Sequence, residues 1–353
     1  MNTRERLRAR LSNLHIAQPQ HVKAADVVSA LGALQAQDYT AALWAIGLRL
    51  RDGTLQDVQR AAAERTIIRT WAMRGTLHFV AARDVHWLLD LLAPRTITAN
   101  AKRHRDLQLD AATFLKAEKA LGKALEGGRQ LTREGVRRVL ERAKLRPEGQ
   151  RLYHVIARLA QDKLLCCGPN EGGEQTFTLL RDWVKAALQL EPEAALAELA
   201  RRYFSSHGPA TQRDLMRWAG INAREARLAI AAAGDSLASE SHFWFAADQP
   251  PPSAASRGLF LLPSFDEYVI GYADRSDFLA AEHADKLVPG NSGVYRPAIV
   301  SDGRVIGTWK ATRTKRGWTV EPALFAALKP AQRAQLTRAA ASYTGFVGGH
   351  GPM

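Results

Sequence analysis

Leu131-Thr132 is followed, twenty residues on, by Arg151-Leu152-Tyr153-His154-Val155-Ile156-Ala157-Arg158-Leu159. Then come Leu164-Leu165-Cys166-Cys167, the turn Gly168-Pro169-Asn170-Glu171-Gly172-Gly173, and Thr176-Phe177-Thr178-Leu179. Thr132 is a suitable N-cap for a helix carrying Val136, Val139 and Leu140. Leu152, Val155, Ile156 and Leu159 recur at helical spacing and predict one buried face. The two short apolar runs around the Gly-rich turn predict a two-stranded ribbon. Helix, helix, ribbon is the order of a winged helix-turn-helix.

The order recurs on either side. From Pro192 a helix carries Leu196, Leu199 and Tyr203 and breaks at Ser206-His207-Gly208-Pro209. Thr211-Gln212-Arg213-Asp214 caps a helix that Gly220 stops, Asn222 to Ala233 forms the next, and His242-Phe243-Trp244-Phe245 supplies a strand. At the N-terminus, helices are expected around Asp26 to Leu34, Thr40 to Leu48 and Leu55 to Ala63. A tight hairpin at Met73-Arg74-Gly75 follows, between Thr66–Trp71 and Thr76–Val80. Past Gln249-Pro250-Pro251-Pro252 the chemistry turns to strands, with Leu259 to Leu262, a hairpin at Asp302-Gly303 and Trp318-Thr319-Val320. The expected fold is mainly α with β-ribbons (α+β): winged helices over 1-110, 111-190 and 191-250, and a β-rich cap over 251-353.

The 353 residues carry 49 Lys plus Arg and 35 Asp plus Glu, a net charge of +14, with 46% hydrophobic residues. That is a folded basic protein and not a disordered polycation. Sixteen basic and eight acidic residues between Lys102 and Lys163 give that stretch +8 of the total. A polyanion, and DNA above all, is the expected partner. Two adjacent cysteines, Cys166 and Cys167, cannot make a disulfide framework or a Cys-rich zinc site; alternation along a strand would bury one of them. No segment has the length and apolarity of a signal peptide or a membrane span, so a cytoplasmic protein without membrane contact is expected. DNA as partner would make it nucleoid-associated, and three concatenated winged helices already supply an extended surface, so a monomer is expected. No histidine has a second histidine or a cysteine at i+4, and there is no phosphate-binding glycine loop; no metal and no cofactor are expected.

Arg151 and Arg158 lie seven apart, on one helix face, and suit phosphates or guanine edges, although ordinary solvated charges would look the same. Arg313, Lys315 and Arg316 form a basic hairpin tip between Trp309 and Trp318, fit either for DNA or for keeping an exposed edge from pairing. In Leu34-Gln35-Ala36-Gln37-Asp38, two amides at i and i+2 would diverge on a helix but share a side on an extended segment. By residue type alone they are solvated helix-end residues.

The stretch Leu34–Asp38, followed by Ala42-Leu43-Trp44-Ala45-Ile46-Gly47-Leu48-Arg49, resembles the AlkZ branch of the AlkZ and YcaQ DNA glycosylases. So do Arg69-Thr70-Trp71-Ala72-Met73-Arg74-Gly75-Thr76-Leu77-His78, Leu262-Pro263-Ser264-Phe265-Asp266-Glu267-Tyr268 and Asp302-Gly303-Arg304-Val305-Ile306-Gly307-Thr308-Trp309. The resemblance implies tandem winged helices and a Gln, apolar residue, Gln motif that carries base excision, here Gln35, Ala36 and Gln37. Ala36 is smaller than the apolar residue usual there, and the YcaQ branch has an acid where this chain has Gln37. The matched stretches also carry Arg74 as a DNA contact and Asp38, His78, Asp266 and Glu267 as secondary site candidates. The implied activity is a monofunctional DNA glycosylase acting on cationic N7-alkylated purines or unhooking interstrand cross-links, in base excision repair or antibiotic self-resistance. No lysine adjoins the glutamine pair, so no lyase step is expected. The other reading is a winged-helix transcription regulator or architectural protein that binds DNA without chemistry.

Overall fold

The computed structural model describes residues 1–248, 258–315 and 317–349; the Pro250–Pro252 boundary and Arg316 lie outside them. Two compact units result, one of Ala62–Ala195 and one of Met1–Ala61 with the described residues from Leu196 onward.

In the Ala62–Ala195 unit, Thr132 caps helix Arg133–Arg142, its side chain accepting from the Gly135 amide. Helix Arg151–Gln161 buries Leu152, Val155, Ile156 and Leu159 against Val136, Leu140, Phe177 and Leu179. Burying an aliphatic side chain contributes about 1.5–3 kcal/mol, so this stripe outweighs any helix propensity in fixing the element. Strands Leu165–Cys167 and Thr176–Leu179 pair antiparallel, and Leu131–Thr132 joins the second of them.

The hairpin of Ile67–Met73 and Thr76–Ala81 turns at Arg74 (φ 52°) and Gly75 (φ 73°), the paired left-handed residues of a type I′ turn. It shares a sheet with the middle ribbon through Arg69 opposite Cys167. The strand order within the unit is Thr76–Ala81, Ile67–Met73, Leu165–Cys167, Thr176–Leu179, Leu131–Thr132. An interior sheet position is covered on both faces. Both Cys166 and Cys167 are therefore buried, not one of them as alternation predicts, and burial pushes the Cys167 thiol up to about 12.

The other unit begins with a helix that the sequence reading omits, Thr3–Asn13, held by a capping box between Asn2 and Glu5. Helix Ala24–Leu31 ends at Gly32 (φ 78°), three residues sooner than expected, because a glycine reaches that conformation without a Cβ clash. The chain then leaves extended as Leu34–Gln35 before helix Tyr39–Gly47. Downstream, Thr211 and Asp214 box the start of helix Gln212–Ala219, Gly220 (φ 72°) ends it, and Asn222 with Glu225 starts Ala223–Ala233. Strands Leu237–Glu240 and Phe243–Ala246 complete that helix, helix, ribbon unit.

Strands Leu259–Leu262, Ala298–Ser301, Arg304–Thr314 and Gly317–Leu324 form an antiparallel sheet in that order. Asp302 (φ 48°) and Gly303 (φ 85°) make the expected turn. The chain's last described element is again a surprise, a helix over Pro330–Val347 in a stretch expected to be β-rich. Its Tyr343 and Phe346 pack against Trp44 at 5.3 and 5.1 Å between ring centres.

Candidate functional site

Leu34–Gln35 is extended, so alternate residues face opposite ways. Leu34 and Ala36 are buried at 1% and 0% exposure, Gln35 is half-buried and Gln37 exposed. The two amides thus occupy the outward positions that an extended exit predicts, and neither is sealed in a core. Ala36 packs with no exposed surface, so the small residue is matched to its surroundings.

Three anchors fix this segment. Its end is set by Asp38, exposed, whose side chain accepts from the Ala41 amide at 3.0 Å and caps helix Tyr39–Gly47. Ser264 Oγ lies 3.4 Å from the other Asp38 oxygen and donates to it. Its start is set by Glu267, whose Oε1 accepts from the Gln35 backbone N–H at 2.9 Å. Behind it, Trp44 Nε1 donates to the Leu261 carbonyl at 2.8 Å and Trp309 Nε1 to that of Leu262, which ties helix Tyr39–Gly47 to the sheet.

Asp266 has a different surrounding from the residue beside it. Its carboxylate is completely buried and receives Arg49 Nη1 and Nη2, both at 2.9 Å. Arg49 also donates to the Leu14 and Ala45 carbonyls, and Asp266 accepts from the Tyr268 amide. Four of the five guanidinium donors are satisfied in a dry core, and the paired fork joins the N-terminal helices to the Leu262–Tyr268 segment. Asp266 is thereby a structural ion-pair partner and does not reach the surface.

In the Ala62–Ala195 unit, His78 is buried. Its Nδ1 donates to the Thr76 carbonyl at 2.9 Å, leaving Nε2 to accept from Arg74 at 3.3 Å. Arg74 sits at the hairpin turn, and Tyr153 of helix Arg151–Gln161 donates to the next carbonyl, Gly75, at 3.2 Å. Arg151 is spent locally on the Leu107, Gln108 and Arg146 carbonyls. Arg158 pairs with Asp162 at 2.7 Å and lies over the Phe114 ring at 5.0 Å. The shared helix face is real, but both guanidiniums have partners inside their own unit.

Arg313 and Lys315 are exposed, at the outer end of the Arg304–Thr314 and Gly317–Leu324 hairpin. From Lys310 outward this two-stranded ribbon exposes most side chains on both faces. Among the described residues no group of three or more His, Cys, Asp or Glu could hold a metal ion, and no helix is long and apolar enough to cross a membrane.

Sequence reasoning passed over Trp218 and His207, which hold the other oxygen of Glu267. Trp218 Nε1 donates to Oε2 at 2.9 Å, and His207 Nε2 lies 3.4 Å from it. Burial holds the His207 pKa below its ordinary value, against the opposing pull of Glu267. Neither residue has a spacing signal, since each reaches Glu267 from a different helix.

A model of the family "DNA glycosylase AlkZ-like" matches residues 28–346. The chain belongs to the AlkZ-like DNA glycosylases. A relative from Streptomyces sahachiroi, named interstrand DNA cross-link repair glycosylase, is 31% identical over 314 residues, covering 81% of this chain and 82% of its own. The solved S. sahachiroi DNA glycosylase AlkZ superposes with a TM-score of 0.80 at 24% identity, over 100% of this chain and 98% of that one. The winged-helix architecture is therefore shared with AlkZ, and this AlkZ-like chain is a DNA glycosylase, an enzyme that acts on DNA, and not a regulator without chemistry.

Proposed function

We propose that this glycosylase hydrolyses the N-glycosidic bond of cationic N7-alkylated purines, with Gln35 and Gln37 as the catalytic pair, and leaves an abasic site without strand cleavage. The observation that carries the reading is the extended Leu34–Gln35 exit with Ala36 buried and both glutamines on outward positions. An ordinary purine leaves as an anion and needs an acid to protonate it. An N7-alkylguanine is already cationic and departs neutral, so no proton need be supplied.

What remains is to stabilise a sugar oxocarbenium and aim a water. Amide carbonyl oxygens can do both, as fixed partial negative charge beside a developing cation and as acceptors from the attacking water. An amide does not titrate near neutrality, so neither glutamine acts as a strong base. Asp38, within the same segment, is committed through one oxygen to its helix cap. Substrates with poor leaving groups should resist this chemistry.

The S. sahachiroi relative's name points to interstrand cross-links, and we extend that substrate class to this chain. A base tethered to both strands cannot swing freely into a pocket, so such a lesion would be attacked in or near the duplex. Double-stranded DNA is held, in this reading, by the exposed Arg313 and Lys315 with Arg316, and by Arg74 at its hairpin turn. Arg151 and Arg158 add charge but are already engaged. The protein works as a cytoplasmic, nucleoid-associated monomer that presents the glutamines on a concave basic face. Three winged helices over 1-110, 111-190 and 191-250 with a cap over 251-353 belong to the same proposal.

The test is release of free 7-methylguanine from methylated duplex DNA, followed by alkali cleavage at the abasic site. Wild type should release the base and leave the strand intact until alkali is added; no release would overturn the reading.

A further inference from the structure

We propose that Glu267 is a positioning residue for excision, its buried carboxylate fixing which residues of the Leu34–Gln37 segment face outward; the proposal rests on the catalytic reading of Gln35 and Gln37. A strand's side chains alternate, so a slip of one residue would turn Ala36 out and both glutamines in. A hydrogen bond to the Gln35 backbone N–H favours the first of these arrangements over the second. Glu267 makes that bond to Gln35 itself, at 2.9 Å.

The carboxylate is built in from several directions. It is 1% exposed, on the short helix Glu267–Ile270 that Asp266 caps. Trp218 Nε1 holds Oε2 at 2.9 Å and His207 Nε2 stands at 3.4 Å. Tyr203 stacks on the His207 ring at 4.7 Å and 16°, and Ser206 Oγ lies 2.8 Å from His207 Nδ1. At Gly271 any Cβ would lie 2.5 Å from His207 Cδ2 and 2.6 Å from the Glu267 carbonyl oxygen, so the packing leaves no room for adjustment. Both side-chain oxygens are thus held, Oε1 by the Gln35 N–H and Oε2 by Trp218 with His207 beside it, which fits a demand for one geometry.

Glu267→Gln keeps the shape but gives one oxygen where two are needed: either the Gln35 N–H or the Trp218 and His207 side then meets an amide NH2. The expected result is a fall of about 10- to 100-fold in the single-turnover excision rate of 7-methylguanine at saturating enzyme, as for a misplaced catalytic group. Duplex affinity should stay within about twofold, since phosphate contacts carry it. Amide hydrogen exchange in residues 33–38 should quicken while the rest of the chain keeps its protection.

Excision at the wild-type rate would overturn the proposal, and so would a loss that tracks DNA affinity. If Glu267→Gln does not fold, Trp218→Phe, which removes one donor to Oε2, decides in its place: slower excision with faster exchange in 33–38 supports the role, and a wild-type rate overturns it. Gln35→Ala is run alongside. A slow Gln35→Ala with a normal Glu267→Gln defeats this inference alone, whereas normal excision by Gln35→Ala defeats the reading beneath it.

Discussion

The Leu34–Asp38 segment and the Arg304–Leu324 hairpin belong to one unit, yet they are held in opposite ways. The first has only two strand residues, Leu34–Gln35, and is gripped by the buried Glu267 side chain, a helix cap and, behind it, a buried Arg49–Asp266 pair. The second runs for eight cross-strand pairs, and its outer half stands exposed with a surface Lys310–Glu321 contact at 2.8 Å. The difference follows from what each must do. Aiming an amide at a developing cation fails with an error of an ångström, while attraction between a cation and a phosphate survives several. Rigidity is concentrated where the chemistry is short-range.

The largest expected effect breaks the grip. Asp266→Ala leaves the Arg49 guanidinium buried without its carboxylate and should cost about 3–5 kcal/mol of stability, read as a lower urea midpoint. A midpoint close to wild type would show that the pair does not brace the strand. Next come the amides themselves. Gln35→Ala or Gln37→Ala should slow single-turnover excision by about 10- to 1000-fold, roughly 1.4–4 kcal/mol of barrier, with duplex affinity nearly unchanged. Gln37→Asp should retain more activity than Gln37→Ala, because it places negative charge near the cation; equal inactivity would replace the electrostatic role with steric positioning of water.

Acid should loosen the supported region before the hairpin. Burial, with His21 and Arg49 adding to it, lowers the His15 pKa from 6.5 to about 4. The folded state therefore holds His15 neutral while the unfolded chain takes up a proton below 6.5. Stability from this group is complete above pH 6.5, falls as pH drops toward 4, and levels off below. At pH 5 the loss is roughly 2 kcal/mol before discounting for partial exposure. His15→Asn, which tolerates the local φ of 54°, should flatten the melting profile between pH 7 and 5. An unchanged profile would assign the acid sensitivity to other histidines.

Much of this was legible in the sequence where a local rule decides. Thr132, Thr211 and Asn222 cap the helices they precede, Gly220 ends one, and Asp302-Gly303 and Arg74-Gly75 turn as expected. The outward placement of Gln35 and Gln37 follows from a stop at Gly32, three residues before the end that the apolar pattern predicts. What stayed hidden depends on long-range pairing. Arg69 opposite Cys167 spans about a hundred residues of chain and merges two ribbons into one sheet. Trp218, His207 and Gln35 meet at Glu267 from segments 49, 60 and 232 residues away, which no periodicity encodes. Helix Pro330–Val347 is hidden because its apolar residues make no clear stripe.

The smallest effect tests the hairpin, and it separates two kinds of arginine. Arg313 and Lys315 are exposed, whereas Arg151 and Arg158 bond to carbonyls and to Asp162 within their unit. If the exposed pair meets phosphates, Arg313→Ala with Lys315→Ala should lower the slope of log affinity against log salt by about 1–2 units, at roughly 0.9 per contact, and weaken binding on the order of tenfold at physiological salt. Excision by saturating enzyme should hardly move, because the glutamine strand is untouched. Arg158→Ala should change the slope less, since freeing Asp162 also removes an internal pair. A larger slope change for Arg158→Ala than for the hairpin variant would reverse the assignment: the engaged helix would then be the DNA-facing element, and the exposed ribbon would carry its charge only to keep its own edges from pairing.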